Sequence, residues 1–315
     1  MNDTSKPRVA VLSGGRSPER DVSLAGGKAV SAALEDRGFP VVRLDPRELD
    51  VTDFDWKRGD VAFLVLHGEF GEDGQVQTQL DALGIPYTGS GPEASRLAFS
   101  KSATKERLRL AGIPTPESVV IRRGDSLDSL LERAERLGFP LVVKPDAQGS
   151  SLGVSVVHKP MQLPAALARC FALDGFGLLE KYVAGSEWTI GLLNNDALPP
   201  ICIETPRGFY DYDAKYADEE TQYLFETTVP ESVLRELQSL AVGVGRAVGT
   251  RGIARVDFRL DGDLKPWVLE VNTIPGMTDH SLIPKAFARM GISFPQLCER
   301  IVLETLNQNT AQRAA

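Results

Sequence analysis

The sequences RVDFRL at 255–260 and LEVNT at 269–273 decide how this chain is interpreted. Alternating apolar and polar residues predict two strands, and side chains two residues apart in a strand share a face. If the strands pair, three oxygen donors, Asp257, Glu270 and Asn272, converge beside the arginine that begins the first segment. Hard oxygen ligands in that number suit Mg²⁺ completed by water and by substrate phosphates. The spacing alone leaves a second interpretation open, a polar face on an edge hairpin.

A loop rich in glycine and serine, KPDAQGSSLG at 144–153, lies between two apolar segments that are predicted to be strands. Backbone N–H groups in such a loop approach an anion closely, and Lys144 adds a positive charge. The pattern Gly-x₄-Gly-Lys-Ser/Thr is absent, so the loop is not a Walker A motif. On its own the segment predicts either a phosphate-binding loop or a flexible hairpin tip with ordinary turn residues.

Two further segments carry candidate ligands near the start of the chain. GGRSPER at 14–20 follows the first predicted strand, where α/β proteins place ligands. Its Glu19 either pairs with a substrate amine or only favours a helix N-terminus, and His67, after a later strand, is either a ligand or a structural residue. The sequence at 89–94 mimics a dinucleotide fingerprint, but Pro92 interrupts it and only a short segment precedes it, which argues against a nicotinamide site.

Hydrophobic periodicity predicts an α/β chain with a largely parallel sheet near its N-terminus. The pattern strand, helix, strand, strand, helix runs to residue 83, and the turn residues GSGP at 89–92 mark the first boundary. Beyond it we expect a helix at 97–111 and a second helix capped by Asp125 or Ser126. A pair of strands on either side of the glycine-rich loop follows.

The composition limits the class of protein. The 315 residues are 42% hydrophobic and 25% charged, with a net charge of −8, values typical of a globular protein. The acidic balance disfavours binding to nucleic acid or to anionic membranes. Three separated cysteines form no zinc or disulfide pattern, and neither a signal peptide nor a membrane span is evident. We therefore expect a cytoplasmic protein without nucleic-acid or membrane partners.

Seven segments, taken together, resemble the D-alanine–D-alanine ligase family, whose members have the ATP-grasp fold. They occur in the family's order and cover nearly the whole chain. The segments are GGRSPERDVSL (14–24), LHGEFGEDG (66–74), PYTGSG (86–91), VVKPDAQGSSLGV (142–154), FYDYDAKY (209–216), RVDFRL (255–260) and LEVNTIPGMTDHSL (269–282). The resemblance implies an α/β (α+β) chain of three α/β domains, 1–91, 92–186 and 187–315. The nucleotide would lie between the central and C-terminal domains, under a mobile lid loop at about 204–225.

The resemblance also assigns residues to ATP and to metal ions. The phosphates would meet lysines, the adenine would meet backbone groups of a hinge at 180–183, and the ribose would meet a glutamate. The residues that match the family's nucleotide site are Lys101, Lys144, Ser150, Ser151, Glu180, Lys181, Val183, Glu187 and Lys215. Asp257, Glu270 and Asn272 match its site for two Mg²⁺ ions, for which Mn²⁺ is a possible substitute.

The remaining matches concern the amino-acid substrates. The ammonium of the first substrate would meet Glu19, which hydrogen bonds would link to Ser150 and Tyr216. Arg255 and the Gly276 N–H would stabilise a tetrahedral oxyanion. The substrate-binding matches are Glu19, His67, Ser281 and Leu282, and the catalytic matches are Glu19, Ser150, Tyr216, Arg255, Gly276 and Ser281. In this family a tyrosine at position 216 goes with D-alanine rather than D-lactate as the acceptor.

The reaction that the resemblance implies is ATP-dependent ligation of two D-alanine molecules through an acyl phosphate, for a peptidoglycan precursor, by a homodimer. One alternative is an ATP-grasp ligase for another amino acid or hydroxy acid, such as a ligase that makes D-alanyl-D-lactate. Another is an ATP-binding regulator without catalysis. The intact set of Arg255, Asp257, Glu270 and Asn272 argues against the regulator, because a sensor could dispense with part of it.

Overall fold

The computed structural model describes residues 6–206, 220–278 and 280–314, and their strands form three sheets. Lys215 and Tyr216, together with most of the predicted lid at 204–225, lie outside the described residues. None of the described helices is both long enough and apolar enough to cross a membrane.

The first sheet is the parallel sheet that the N-terminal pattern predicts. Its strands are β1 (Val9–Leu12), β2 (Val41–Leu44) and β3 (Val61–Leu64), in the order β2-β1-β3. Every residue of β1 and β3 is buried, as is typical of parallel strands covered on both faces. Helix α1 (Arg20–Asp36) joins β1 to β2, and α2 (Gln75–Leu83) follows β3.

The second sheet is antiparallel and carries the glycine-rich loop between two of its strands. The strands are β4 (Ser118–Arg122), β5 (Leu141–Pro145), β6 (Ser155–Val157) and β7 (Phe176–Lys181), in the order β4-β7-β5-β6. The helices of this region are α5 (Leu127–Leu137), a 3₁₀ turn (Pro160–Gln162) and α6 (Leu163–Leu173). Of the two predicted caps, Ser126 is the one that caps α5, because its hydroxyl accepts the Ser129 N–H at 3.3 Å.

The third sheet contains the segments RVDFRL and LEVNT. Its strands are β8 (Ser186–Leu193), β9 (Asp196–Ala197), β10 (Ile201–Glu204), β11 (Gln222–Leu224), β12 (Ile253–Leu260) and β13 (Pro266–Asn272), in the order β11-β10-β8-β12-β13 with β9 beside β8. Strands β12 and β13 pair as predicted, in antiparallel register. Helix α7 (Glu231–Val248) buries Leu237, Ala241 and Val244 in a core shared with β8 and β12.

The predicted single helix at 97–111 is wrong, because two helices meet there. The two are α3 (Pro92–Phe99) and α4 (Lys101–Leu110). Ser100 between them has an extended ψ of 110°, and its hydroxyl accepts the Ala103 N–H at 3.3 Å, which caps α4. The same hydroxyl donates to the carboxylate of Asp146 in the glycine-rich loop at 2.8 Å. The break therefore places Lys101 at the start of a helix beside that loop.

The last two helices return to the first sheet. They are α8 (Leu282–Arg289) and α9 (Phe294–Ala314). Leu297 and Ile301 of α9 share one hydrophobic core with Leu34 of α1 and Phe63 of β3. The first strand and the last helix of the fold are thus parts of the same core.

Candidate functional site

A cleft with about 760 Å³ of empty space, part of it open to solvent, lies between the second and third sheets. Nine of the residues predicted to bind nucleotide or metal line it. They are Lys101, Lys144, Ser151, Glu180, Lys181, Val183, Glu187, Asp257 and Glu270. A smaller neighbouring cleft is lined by Lys101 and Glu270 again, and by Asn272, Gln148 and Glu72. The two sequence motifs that spacing alone left ambiguous therefore face a common space.

The acidic corner of the cleft is built on the β12–β13 pair. Asp257 lies opposite Glu270, and Arg255 lies opposite Asn272, with a register shift immediately after Asp257. Residues directly opposite in an antiparallel pair present their side chains on the same face. The predicted convergence of these side chains is therefore present in the sheet, while their binding of metal stays a prediction.

The Asp257 carboxylate accepts hydrogen bonds from three neighbouring side chains. The Arg255 guanidinium donates to both of its oxygens at 2.8 Å, a bidentate arrangement. The Thr189 hydroxyl donates to Oδ1 at 2.6 Å and the Asn272 amide to Oδ2 at 3.0 Å. These donors favour the ionised carboxylate, which is the form that binds a hard cation.

Glu270 and Asn272 complete an oxygen donor set that fits Mg²⁺ chemically. Two carboxylates and one amide oxygen, with space for water and phosphate oxygens, match the preference of this ion. Among the described residues there is no group of three or more His, Cys, Asp and Glu side chains arranged to hold a metal. In the acidic corner only two of the three donors are carboxylates, because the third, Asn272, is an amide. Lys101 Nζ lies 3.6 Å from Glu270 Oε2, so a positive charge already neighbours the corner.

The hinge end of the cleft contains a buried carboxylate between two lysines. Glu180 is 3% exposed, and its oxygens lie 2.8 Å from Lys144 Nζ and 2.5 Å from Lys105 Nζ. Burial opposes ionisation of Glu180, but the two ammonium groups outweigh it and hold the pKa of the carboxyl below its ordinary value. Burial lowers the pKa of Lys105 to about 8, despite the opposing effect of Glu180.

Some backbone groups at the hinge already form hydrogen bonds within the protein. The Lys181 N–H donates to the Glu117 carbonyl at 2.8 Å, so a base can meet only the carbonyl of that residue. Arg259 donates to the Val183 carbonyl at 3.2 Å and to Glu187 at 3.4 Å, which holds the hinge against β12. At Val183 the N–H is therefore the group left to meet a base. The sequence interpretation did not include Arg259.

The glycine-rich loop has a strained backbone that brings it to the first sheet. Ser150 and Ser151 have φ of 50° and 56°, in the left-handed region that residues with side chains rarely adopt. The Ser150 hydroxyl donates to the carboxylate of Glu19, as the family resemblance implies. A Cβ on Gly149 would lie 2.7 Å from Glu19 Oε2, so any larger residue there would displace the Glu19 carboxylate. Lys101 Nζ supports the loop by donating to the Gln148 carbonyl at 2.6 Å.

Two ionisable groups, Glu19 and His67, lie at the first-sheet side of the site. Both are buried, at 6% and 8% exposure. Burial lowers the pKa of His67, while the Glu19 charge acts in the opposite direction and the Arg255 charge lowers it further. The imidazole is therefore neutral at physiological pH.

Glu72 is a site residue that the sequence interpretation missed. It accepts the Gly68 N–H at 2.6 Å and lines the smaller cleft. Burial and the neighbouring Glu19 charge raise the pKa of Glu72 to about 8. The sequence could have indicated Glu72, because this residue belongs to the segment LHGEFGEDG, which also contains the candidate His67. Gly71 and Gly74, on either side of Glu72 and Asp73, predict a turn that can return a side chain toward His67.

The predicted acceptor residues lie together in the connection from β13 to α8. A Cβ on Gly276 would lie 3.0 Å from the Ser281 hydroxyl, and that hydroxyl lies 2.9 Å from the Thr278 hydroxyl. Leu282 is 8% exposed and belongs to the core of the first sheet, so its side chain serves packing. Only its backbone can meet a substrate. Lys215 and Tyr216, the remaining predicted site residues, lie outside the described part of the chain.

Two family models match most of this chain, and known proteins resemble it over nearly all of its length. The model of the D-ala D-ala ligase N-terminus matches residues 46–90, and that of the C-terminus matches residues 108–303. A D-alanine–D-alanine ligase of Syntrophotalea carbinolica is 45% identical over 300 residues, covering 95% of this chain and 96% of that protein. One of Alkalilimnicola ehrlichii is 42% identical over 301 residues, covering 95% and 94%. The crystal structure of the Bacillus anthracis D-alanine–D-alanine ligase complexed with ATP has a TM-score of 0.83 and 32% identity, covering 97% of this chain and 99% of that one.

Proposed function

The chain belongs to the D-alanine–D-alanine ligase family, and on that premise we propose that it joins two D-alanine molecules to D-alanyl-D-alanine with cleavage of ATP to ADP and phosphate. The fold is accordingly an ATP-grasp fold. The product serves peptidoglycan synthesis, as the family's activity implies. The observation that carries the proposal is the common cleft, in which the hinge carboxylate, the cationic lysines and the acidic corner face one another.

The first chemical step activates a carboxylate. A carboxylate is a poor acyl donor, so an oxygen of the first D-alanine attacks the γ-phosphorus of ATP, which forms an acyl phosphate and releases ADP. Phosphoryl transfer depends on positioning and on neutralisation of charge. Lys101 and Lys144 line the cleft and supply positive charge to the phosphates, and we assign Lys215 to the terminal phosphate. Ser150 and Ser151 belong to the loop whose N–H groups would hold the phosphates.

Asp257, Glu270 and Asn272 are the residues that would hold two Mg²⁺ ions, or Mn²⁺, in this site. When bound, such ions supply neutralisation of the phosphate oxygens and a template for in-line transfer. The chain's own contribution is orientation. Arg255, Thr189 and Asn272 hold the Asp257 carboxylate in one position before any ligand arrives.

The second step forms the peptide bond. The amine of the second D-alanine attacks the acyl phosphate, a tetrahedral oxyanion forms, and phosphate leaves as the carbonyl is restored. Glu19 would hold the ammonium of the first D-alanine, with His67, Ser150 and Tyr216 around it. Arg255 and the Gly276 N–H would stabilise the oxyanion. Ser281 and the Leu282 backbone would hold the second D-alanine.

Three further assignments complete the proposal. The domains are 1–91, 92–186 and 187–315, a division supported by the three separate sheets. The segment at 204–225 acts as a lid that excludes water from the acyl phosphate, which would otherwise hydrolyse. The enzyme works as a cytoplasmic homodimer.

The experiment is a phosphate-release assay with ATP, Mg²⁺ and D-alanine, with the product identified by mass spectrometry. We expect phosphate and D-alanyl-D-alanine in equal amounts, and little phosphate when L-alanine replaces D-alanine. A parallel reaction with both D-alanine and D-lactate tests the acceptor, and the dipeptide should dominate over the depsipeptide. Phosphate release that is indifferent to D-alanine, without dipeptide, would contradict the proposal in favour of a different ligase or a regulator.

A further inference from the structure

Lys105 is a buried cation that the proposed mechanism does not use. It lies on α4, is 1% exposed and points at the hinge rather than into solvent. Its ammonium donates to the Thr115 hydroxyl at 2.6 Å and to the Pro116 carbonyl at 3.1 Å, in addition to its contact with Glu180. Thr115 in turn donates to the Val268 carbonyl of β13 at 2.8 Å. These partners fix Lys105 in place.

We propose that Lys105 is a positioning residue that selects adenine nucleotides by keeping Glu180 an anion that can only accept hydrogen bonds. The inference rests on the proposed function, in which Glu180 belongs to the adenine hinge and borders the cleft. The exocyclic amino group of adenine donates hydrogen bonds, whereas guanine and hypoxanthine present a carbonyl oxygen at the same position. An ionised carboxylate accepts from the first and repels the second.

The two lysines beside Glu180 have different roles. Lys144 and Lys105 contact different oxygens of the same Glu180 carboxylate. Lys144 lines the cleft and is assigned to the nucleotide phosphates, so we expect nucleotide binding to draw its charge away from Glu180. A buried carboxylate without a cation is costly and neutralises by taking a proton. Lys105 prevents that outcome, because its other partners hold it beside Glu180 whether or not Lys144 moves.

The loss of Lys105 would therefore change what the hinge recognises. With nucleotide bound and Lys144 engaged by phosphate, Glu180 would carry a proton. A protonated carboxyl group can donate to a carbonyl oxygen, so discrimination against hypoxanthine and guanine bases would weaken. A residue that only supported the fold would instead reduce the activity with every nucleotide to the same extent.

The test compares kcat/KM for ATP with kcat/KM for inosine triphosphate, in full-length wild-type enzyme and in Lys105→Met. We expect the wild type to prefer ATP by about 100-fold or more, because a site built for an amino group leaves polar groups unpaired with a carbonyl. Lys105→Met should reduce that ratio by at least about 10-fold, mainly through a higher KM for ATP, with a smaller change in kcat. A ratio within about twofold of the wild type would overturn the inference.

Two further variants show whether Lys105 acts through Glu180. In Glu180→Gln the amide both donates and accepts, so the ratio should already be low. Adding Lys105→Met to that variant should change the ratio no further, as expected when one residue acts through another. An equal loss of ratio from Lys105→Met in both backgrounds would contradict the inference. The double variant also removes the charges of Glu180 and Lys105 together, so neither of these two is left buried without the other.

Arg8→Met provides the matched control, because Arg8 likewise pairs with a buried carboxylate, Asp60, but in the first sheet. It should leave the ratio unchanged. If Lys105→Met does not fold, Thr115→Val removes one partner of the ammonium and should lower the ratio in the same direction by about threefold. An unchanged ratio in Thr115→Val would then count against the inference. Absence of dipeptide from wild-type enzyme with ATP would contradict the proposed function instead, so the two failures are distinguishable.

Discussion

The two ends of the site are built in different ways. At the nucleotide end, Lys144, Glu180, Asp257 and Glu270 all lie on strands, and the ladders of two antiparallel sheets fix their relative positions. At the amino-acid end, Glu19 meets Ser150 through a contact between loops 131 residues apart. The frame of the first end survives the loss of one side chain, because the backbone ladder holds it. At the amino-acid end, the relative position of the two loops depends on the side-chain contact itself.

The largest effect is expected from Glu270→Gln at the strand-built end. Neutralising one ligand of the acidic corner should lower turnover by about 100-fold or more, because charge neutralisation of the phosphates is lost. The melting temperature should stay within about 2 °C of the wild type, because the β12–β13 ladder does not depend on that side chain. Steady-state dipeptide synthesis and thermal unfolding measure the two quantities. Glu231→Gln, on the exposed side of α7, is the control, and a wild-type rate in Glu270→Gln would remove the metal role.

A smaller effect on activity, but a larger one on stability, is expected from Glu19→Gln at the loop-built end. The kcat/KM for D-alanine should fall by about 10–100-fold, because a charged partner of the substrate ammonium is lost. The KM for ATP should change by less than about threefold. The melting temperature should fall further than in Glu270→Gln, because the contact of Ser150 with the carboxylate holds the glycine-rich loop to the first sheet. The opposite order of the two melting temperatures would show that the amino-acid end does not depend more strongly on its side chains than the nucleotide end does.

The effect expected at Glu72 concerns the pH dependence of stability rather than the catalysed reaction. The pKa of this carboxyl in the folded enzyme is about 8, against an ordinary value of 4.5. Between these values the folded state binds more protons than the unfolded state, so Glu72 lowers the stability progressively as the pH rises, by at most about 1.4 kcal/mol per pH unit. Below about pH 4.5 the group is protonated in both states and contributes nothing to this slope.

Glu72→Gln should remove this part of the pH dependence. Its melting temperature, measured without nucleotide or Mg²⁺, should match the wild type near pH 5 and exceed it near pH 8. The same difference between variant and wild type at both pH values would show that Glu72 is ionised throughout this range. The Glu19 charge contributes to the raised pKa of Glu72. In a Glu19→Gln background, Glu72→Gln should therefore raise the melting temperature near pH 8 by less.

The parts of the site on strands were predictable from local pattern. The alternation in RVDFRL and LEVNT placed Asp257, Glu270 and Asn272 on one face, and that face is present. The break at Ser100 was also within reach, because serine is a preferred helix cap. We instead expected one unbroken helix over 97–111, a segment rich in Lys and Arg.

Lys105 and Glu72 show what a local pattern leaves out. Lys105 lies in a basic helix where a solvent-exposed side chain is the ordinary expectation, and its burial depends on Glu180, a strand residue 75 positions away. The raised pKa of Glu72 depends first on burial and then on the charge of Glu19, which belongs to a different loop. Neither partner can be identified from spacing, because the tertiary packing of separate sheets brings them together.

The packing of α9 against the first sheet has a consequence for synthesis on the ribosome. Leu297, Ile301 and Val302 share a hydrophobic core with Val11 of β1 and Phe63 of β3. The first strands leave the exit tunnel more than two hundred residues before the helix that covers them. Until α9 emerges, one apolar face of the nascent sheet is incompletely covered, although the second sheet, whose strands are close together in sequence, can already fold. Of the described helices, α9 is the one that is translated last, and it completes the first core.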